Sequence, residues 1–237
     1  MSDYYIEPDN RTYTIQKFEM EVDQALEKIE ILGKNRKVNI EVNDDNQFRG
    51  TLTYMKKYHD CVVTPTIENG KFSLVYDHDK VSDMEILLTI PRNLYNKFVV
   101  HNKNATISIA GVNAKVVTLT SSNGAIEFTG CSPDLDIVTS NGEIRCQLTE
   151  FSYQTGQLKA TTSNGSVNLI MPNRTDIGYR IDTNLSANHH FNFSSEFEFQ
   201  TIDQQNHQIT YQSKNYDIAN QTYDVHVITS NGYVTLK

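Results

Sequence analysis

From about residue 94 the chain runs in short stretches of alternating apolar and polar residues, paired across a recurring Ser-Asn-Gly. Val117 and Leu119 precede Ser122-Asn123-Gly124, and Ile126 and Phe128 follow it. Leu135 and Ile137 precede Ser140-Asn141-Gly142, with Ile144 and Cys146 after it. Leu158 and Ala160 precede Ser163-Asn164-Gly165, with Val167 and Leu169 after it. Val225 and Val227 precede Ser230-Asn231-Gly232, with Val234 and Leu236 after it. The residue two before each asparagine is Ser121, Thr139, Thr162 or Thr229.

Apolar residues two apart put one face of a strand inward. Asn-Gly between two such strands reads as a tight turn, where residues of positive φ are needed. Each unit is therefore strand, corner, strand, and a lone unit cannot bury its apolar face without neighbours. The first three asparagines are 18 and 23 residues apart, and the fourth lies 67 further on, near three such periods. A meander of hairpins would need a second tight turn per unit. The links here are longer and variable, as in Thr129 to Asp134 and Thr149 to Gln157. The pattern predicts an all-β fold, a single-stranded, β-helix-like β-solenoid with about 18–23 residues per coil. Stacked asparagines would hydrogen-bond along such a solenoid, so the twelve Ser-Asn-Gly residues read as structural turns.

Two weaker units extend the array. One has Asn104 at its corner, with Phe98, Val100, Ile107 and Ile109 inward. In the other, Tyr179, Ile181 and Thr183 keep the stripe while Leu185-Ser186 replaces Asn-Gly. Pro91 and Pro172 precede these units and should mark strand ends, since proline cannot donate to a ladder.

The expected organisation is an irregular N-terminal cap (1–27) and a solenoid (28–237). Within the solenoid, early irregular coils span 28–90, regular repeats 91–186, an inserted aromatic hairpin 187–224 and a last coil 225–237. Phe18, Val22, Ala25, Leu26 and Ile29 fall at helical spacing, so 14–27 is left open between helix and strand, while Lys28 to Leu32 reads as strand. Phe191, Phe193, Phe197 and Phe199 alternate with polar residues, and the expectation is that this face packs on the solenoid.

Composition narrows the function. The net charge of -8 and pI near 5.3 repel phosphate backbones, so nucleic acid is not an expected partner. Cys61, Cys131 and Cys146 are odd in number, without CxxC or a Cys/His cluster, and read as plain thiols. No apolar run is long enough for a membrane-spanning helix, and the first residues have no signal-peptide character. The chain as written reads as cytoplasmic. Asp77-His78-Asp79, His189-His190 and Asn43-Asp44-Asp45-Asn46 read as polar turns rather than metal sites. No P-loop, G-x-G-x-x-G or G-x-S-x-G occurs, so no cofactor or catalytic residue is expected. Glu127, Glu143 and Asp136 face outward and are the candidates for a carboxylate pair acting on polysaccharide.

The T-S-N-G-x-apolar-x-apolar units, the two apolar-Pro segments and the closing Val225 to Leu236 resemble the adhesin-like DUF4097 family, over about residues 28 to 237. The resemblance implies a bacterial β-solenoid without a catalytic signature. Some relatives belong to the cell-envelope stress response of Gram-positive bacteria, including the sensing of antimicrobial peptides. Unlike exported members, this chain shows no signal segment; surface association rests on the resemblance alone. Three functions follow: a binding or scaffold module for an envelope component or cationic peptide, a polysaccharide-active enzyme, or a structural homo-oligomer.

Overall fold

The computed structural model describes residues 13–21, 26–34, 36–45, 47–56, 64–75, 81–149, 153–185, 191–194 and 196–237. Among these the strands are β1 (Tyr13–Glu21), β2 (Lys28–Leu32), β3 (Lys37–Asn43), β4 (Gln47–Lys56), β5 (Thr64–Glu68), β6 (Lys71–Val75) and β7 (Val81–Pro91). They continue with β8 (Leu94–His101), β9 (Ile107–Thr120), β10 (Ile126–Cys131), β11 (Asp134–Val138), β12 (Ile144–Leu148), β13 (Thr155–Thr162) and β14 (Val167–Ile170). The last are β15 (Ile177–Leu185), β16 (Phe191–Phe193), β17 (Phe199–Gln205), β18 (Gln208–Ser213), β19 (Gln221–Thr229) and β20 (Val234–Leu236).

The chain winds through two ladders that face each other across one core. In the first ladder β6, β2, β8, the second half of β9, β11, β13, β19 and β15 pair in parallel. In the second, β7, β3, the first half of β9, β10, β12, β14, β20 and β16 do the same. Parallel pairing from coil to coil is the solenoid and excludes a hairpin meander. Eight coils at about 4.8 Å each make a stack on the order of 35 Å long. β9 runs through both ladders, and Gly111 at its bend has φ of 79°. That left-handed conformation suits glycine because it has no Cβ to clash.

The inward stripe holds throughout. All sixteen apolar or Cys positions flanking the four Ser-Asn-Gly corners are at most 2% exposed. Phe98, Val100, Ile107 and Ile109 of the Asn104 unit are equally buried, as are Tyr179 and Ile181. Each fully buried side chain of this size contributes about 1.5–3 kcal/mol.

Antiparallel strands close the ladder ends, where open edges would otherwise recruit other chains. At one end β4 pairs with β7 and β1 with β4, and β5 pairs with β6. Residues 13–21, left open in the sequence, are therefore strand; Val22 and Ala25 lie outside the described residues. Phe18, Phe48 and Phe72 stack there, with Phe48 and Phe72 centroids 4.1 Å apart. At the other end the hairpin β17–β18 pairs with β15. Phe191, Phe193, Phe197 and Phe199 are half-buried against the core, in ring contact with one another and with Tyr179 and Tyr211.

The coils do not stack in chain order. Coil 28–43 lies between coils 71–91 and 94–110. Coil 221–236, last in sequence, lies between coils 155–170 and 177–193. The 67 residues between Asn164 and Asn231 are therefore not three stacked periods. The two asparagines are neighbours, because the chain leaves one slot empty, builds the outer coil and its hairpin, and returns to fill the slot.

Candidate functional site

The corners form a stack of three parallel rows. Outermost is a row of asparagines. Asn123 Nδ2 donates to Asn104 Oδ1 at 2.5 Å, Asn141 to Asn123 at 2.5 Å, Asn164 to Asn141 at 2.6 Å and Asn231 to Asn164 at 2.7 Å. Beneath it, the carbonyls of Ser122, Ser140 and Ser163 each accept two backbone N–H groups from the next coil. Ser122 O takes those of Ser140 and Asn141, both at 3.0 Å. Innermost is a row of buried hydroxyls. Thr162 Oγ1 accepts from Gly165 N at 3.1 Å and donates to Gly142 O at 3.1 Å. Thr139 does the same between Gly142 N and Gly124 O. Each of these two hydroxyls thus satisfies one buried N–H and one buried carbonyl, groups that are costly to leave unpaired.

The glycines have a different cause from the one the turn chemistry suggested. Positive φ among the described residues occurs only at Asn69, Gly70, Gly111 and Asn206: the Asn69-Gly70 hairpin turn between β5 and β6 uses it, and none of the four Ser-Asn-Gly corners does. Instead the coils approach too closely for a side chain. A Cβ on Gly142 would lie 2.0 Å from Gly124 O, and on Gly165 or Gly232 1.8 Å from the carbonyl of the coil beneath. At the first corner Asn102 takes the inner position. Its amide donates to the Arg36 carbonyl, and its Oδ1 accepts from Arg36 N at 3.2 Å, joining the stack to coil 28–43.

The opposite corners are closed by tyrosines that the sequence reading did not single out as stoppers. Tyr95 donates to Pro91 O at 2.6 Å, Tyr179 to Pro172 O at 2.6 Å and Tyr223 to Ser132 O at 2.7 Å. Pro91 ends β7 and Pro172 follows β14, so both prolines mark strand exits. Burial pushes all three phenols well above their ordinary pKa. The available signal was the tyrosine a few residues after each proline.

The outward carboxylates do not form an acid/base pair. Glu127, in β10 of the second ladder, and Glu143, just before β12, are bridged by Arg145, at 3.4 and 3.0 Å. Glu143 also accepts from Asn168 Nδ2 at 2.6 Å. Asp136 lies in β11, on the other ladder. A shallow groove of about 400 Å³ crosses β15, β19 and the hairpin. In it Asp182 accepts from Thr210 Oγ1 at 2.7 Å and meets His226 Nδ1 at 3.2 Å. The carboxylate sits between hydroxyl and imidazole, so the imidazole does not bear on the hydroxyl as in a nucleophilic triad.

Asp44 and Asp45 pair with Arg92 and Arg49, at 2.6 and 2.7 Å, as turn residues after β3. Asp77-His78-Asp79, His189-His190, Asn46 and Cys61 lie outside the described residues. Cys131 and Cys146 are buried thiols outside any disulfide, and burial pushes the Cys146 thiol up. Among the described residues no group of three or more His, Cys, Asp or Glu is disposed to hold a metal ion. Among the same residues no helix is long and apolar enough to cross a membrane.

The stacked Ser-Asn-Gly corners and their inward stripes coincide with a known family pattern: the model of the Toastrack family, DUF4097, matches residues 80–237. The chain belongs to the Toastrack family. A solved structure of a putative cell adhesion protein from Clostridium sporogenes ATCC 15579 is similar to this Toastrack chain at 13% identity and a TM-score of 0.55, covering 95% of this chain and 99% of that one. That likeness concerns fold, and it extends to the coils ahead of residue 80. A putative adhesin from Bacteroides fragilis NCTC 9343 shares 11% identity at a TM-score of 0.34, over 94% of this chain and 97% of that one. A putative lipid binding protein from Parabacteroides distasonis ATCC 8503 shares 10% at 0.34, over 94% and 97%. None of the curated proteins matches this Toastrack chain.

Proposed function

We propose that this chain is a non-enzymatic binding module that presents the outer faces of a rigid coil stack to a component of the bacterial cell envelope. The observation that carries the reading is the use to which the polar groups are put. The buried Thr162 hydroxyl is committed to the corner stack, and of the outward acids Glu127 and Glu143 are held by Arg145. Such a surface is ordered for recognition, while acid/base chemistry needs a carboxylate poised to exchange a proton. The name of the Clostridium structure, a putative cell adhesion protein, points the same way.

The net charge of -8 favours cationic ligands over anionic ones, so a cationic peptide is the ligand class of choice. Calorimetric titration of the full chain against cationic peptides, soluble cell-wall fragments and anionic lipid vesicles tests this. Saturable binding to the first class, weakening with salt, is expected. Absence of binding to all three, or cleavage of a cell-wall polysaccharide, would overturn the reading.

A further inference from the structure

Residues 221–236 fill a slot that has a wall on either side. β19 pairs with β13 on one side and β15 on the other, and β20 pairs with β14 and β16. The walls also read side chains. Val225, Val227, Val234 and Leu236 are fully buried. Thr229 Oγ1 donates to Gly165 O at 3.0 Å, and Asn231 Nδ2 donates to Asn164 Oδ1 at 2.7 Å. Gly232 stands where a Cβ would meet Gly165 O at 1.8 Å. A fitting segment must carry apolar, Thr, Asn-Gly and again apolar residues in this register.

One further fit is peculiar to this coil. Tyr223 lies eight residues before Asn231, and the same position in the other three Ser-Asn-Gly units holds Lys115, Pro133 or Gly156. Gly156 lies in the wall under the Tyr223 ring, where a Cβ would be 2.1 Å from it. The Tyr223 hydroxyl then reaches Ser132 O at 2.7 Å. The slot therefore selects 221–236 over the other units of the chain. It does not select which copy of the chain supplies them.

What favours the chain's own coil is the link 214–220 between β18 and β19. Asn215 Nδ2 fastens its start to the carbonyls of Thr175 and Ile177, at 2.9 and 2.8 Å. A 3-10 turn, Tyr216–Ile218, follows, with Ile218 exposed. Unwinding that turn lengthens the link from about 2.0 to about 3.3 Å per residue and frees the coil to reach a neighbour. We propose that the slot also docks residues 221–236 of a second copy, and that two chains exchange these coils to form a reciprocal dimer. Every contact named for the slot is kept in the exchange, and only the link changes its path. The dimer joins two coil stacks and presents their outer faces together.

The test is refolding of the full chain from urea at two concentrations, read by light scattering on a sizing column. A short link gives the tethered coil an effective concentration of about 1 mM, so the dimer is expected to rise from about 1% of chains at about 10 µM to about half at about 1 mM. Deleting Asp217, Ile218 and Ala219 should make the dimer dominant at the lower concentration. Thr161 and Ile228 are register partners across β13 and β19. In a Cys61→Ser background, Thr161→Cys with Ile228→Cys should tie chain to chain in the exchanged dimer, giving a covalent dimer on a denaturing, non-reducing gel. Monomer at both concentrations, or a dimer that falls to single chains on that gel, would overturn the proposal. If the cysteine variant does not fold, dilution of the parent dimer decides. An exchanged dimer persists for as long as the native chain stays folded, and one that dissociates within minutes overturns the proposal.

Discussion

The Tyr223 hydroxyl donates to the Ser132 carbonyl at 2.7 Å, across 91 residues of sequence. Tyr223 opens the inserted coil and Ser132 lies in the return corner between β10 and β11. Its ring lies over Gly156, where a Cβ would meet the ring 2.1 Å away. The bond therefore fixes the coil that arrives last to corners laid down much earlier.

Tyr223→Phe should keep the packing and lose only this bond. A loss of about 1–1.5 kcal/mol in urea unfolding is expected, because a buried carbonyl is left unpaired. Tyr223→Ala should cost about 3–5 kcal/mol, since it also leaves a cavity in the core. Equal costs for the two would show that the hydroxyl does not hold the coil.

Gly142→Ala separates stacking from turn conformation. The added Cβ must displace the Gly124 carbonyl from 2.0 Å. Overpacking of this kind costs about 1–3 kcal/mol, and more where backbone must move. A change in urea midpoint within error of zero would contradict the close-approach account of these glycines.

Thr162→Val retains shape and removes the hydroxyl. It strands Gly165 N and Gly142 O together, both bound at 3.1 Å in the native corner. The expected loss is about 2 kcal/mol. Thr162→Ser should recover most of it, as read from thermal or urea unfolding.

Acid stability should depend on Glu30. It pairs with Lys28 at 2.8 Å and with Lys71, and hydrogen bonds from these two amines, Lys28 first, lower its carboxyl from the ordinary 4.5 to about 2. A depressed carboxylate contributes stability that is fully present above the unfolded value. The contribution is lost as the pH falls from 4.5 toward about 2. Glu30→Gln should flatten that part of the stability profile in urea unfolding and leave the neutral limb parallel to the parent. An unchanged acid limb would show that the pair carries no linkage.

The regular part of the fold was legible because its signals are local. An alternation such as Val117, Leu119, Ile126, Phe128 fixes which side chains face inward without knowledge of the neighbours. The asparagine row followed from the same register. Two features were not local and were misread or unseen. Gly142 looked like a turn glycine, but the constraint on it comes from a carbonyl one coil away. Asn231 looked like the far end of the array, and nothing near it in sequence says which slot it fills. The candidate carboxylates failed for a related reason. Glu127 and Asp136 both point outward, but a return corner stands between them and puts them on different ladders.

Amide hydrogen exchange across β19 tests the central claim most directly. β19 is paired along its length on both sides, residues 222–229 with β13 and 221–229 with β15. Terminal segments ordinarily fray and exchange first. Here Val225, Val227 and Thr229 are expected to exchange as slowly as the slowest amides of β13, at the free energy of global unfolding. Rapid exchange of 221–229, at the rate of a fraying terminal segment, would contradict a last coil inserted in the interior of the stack.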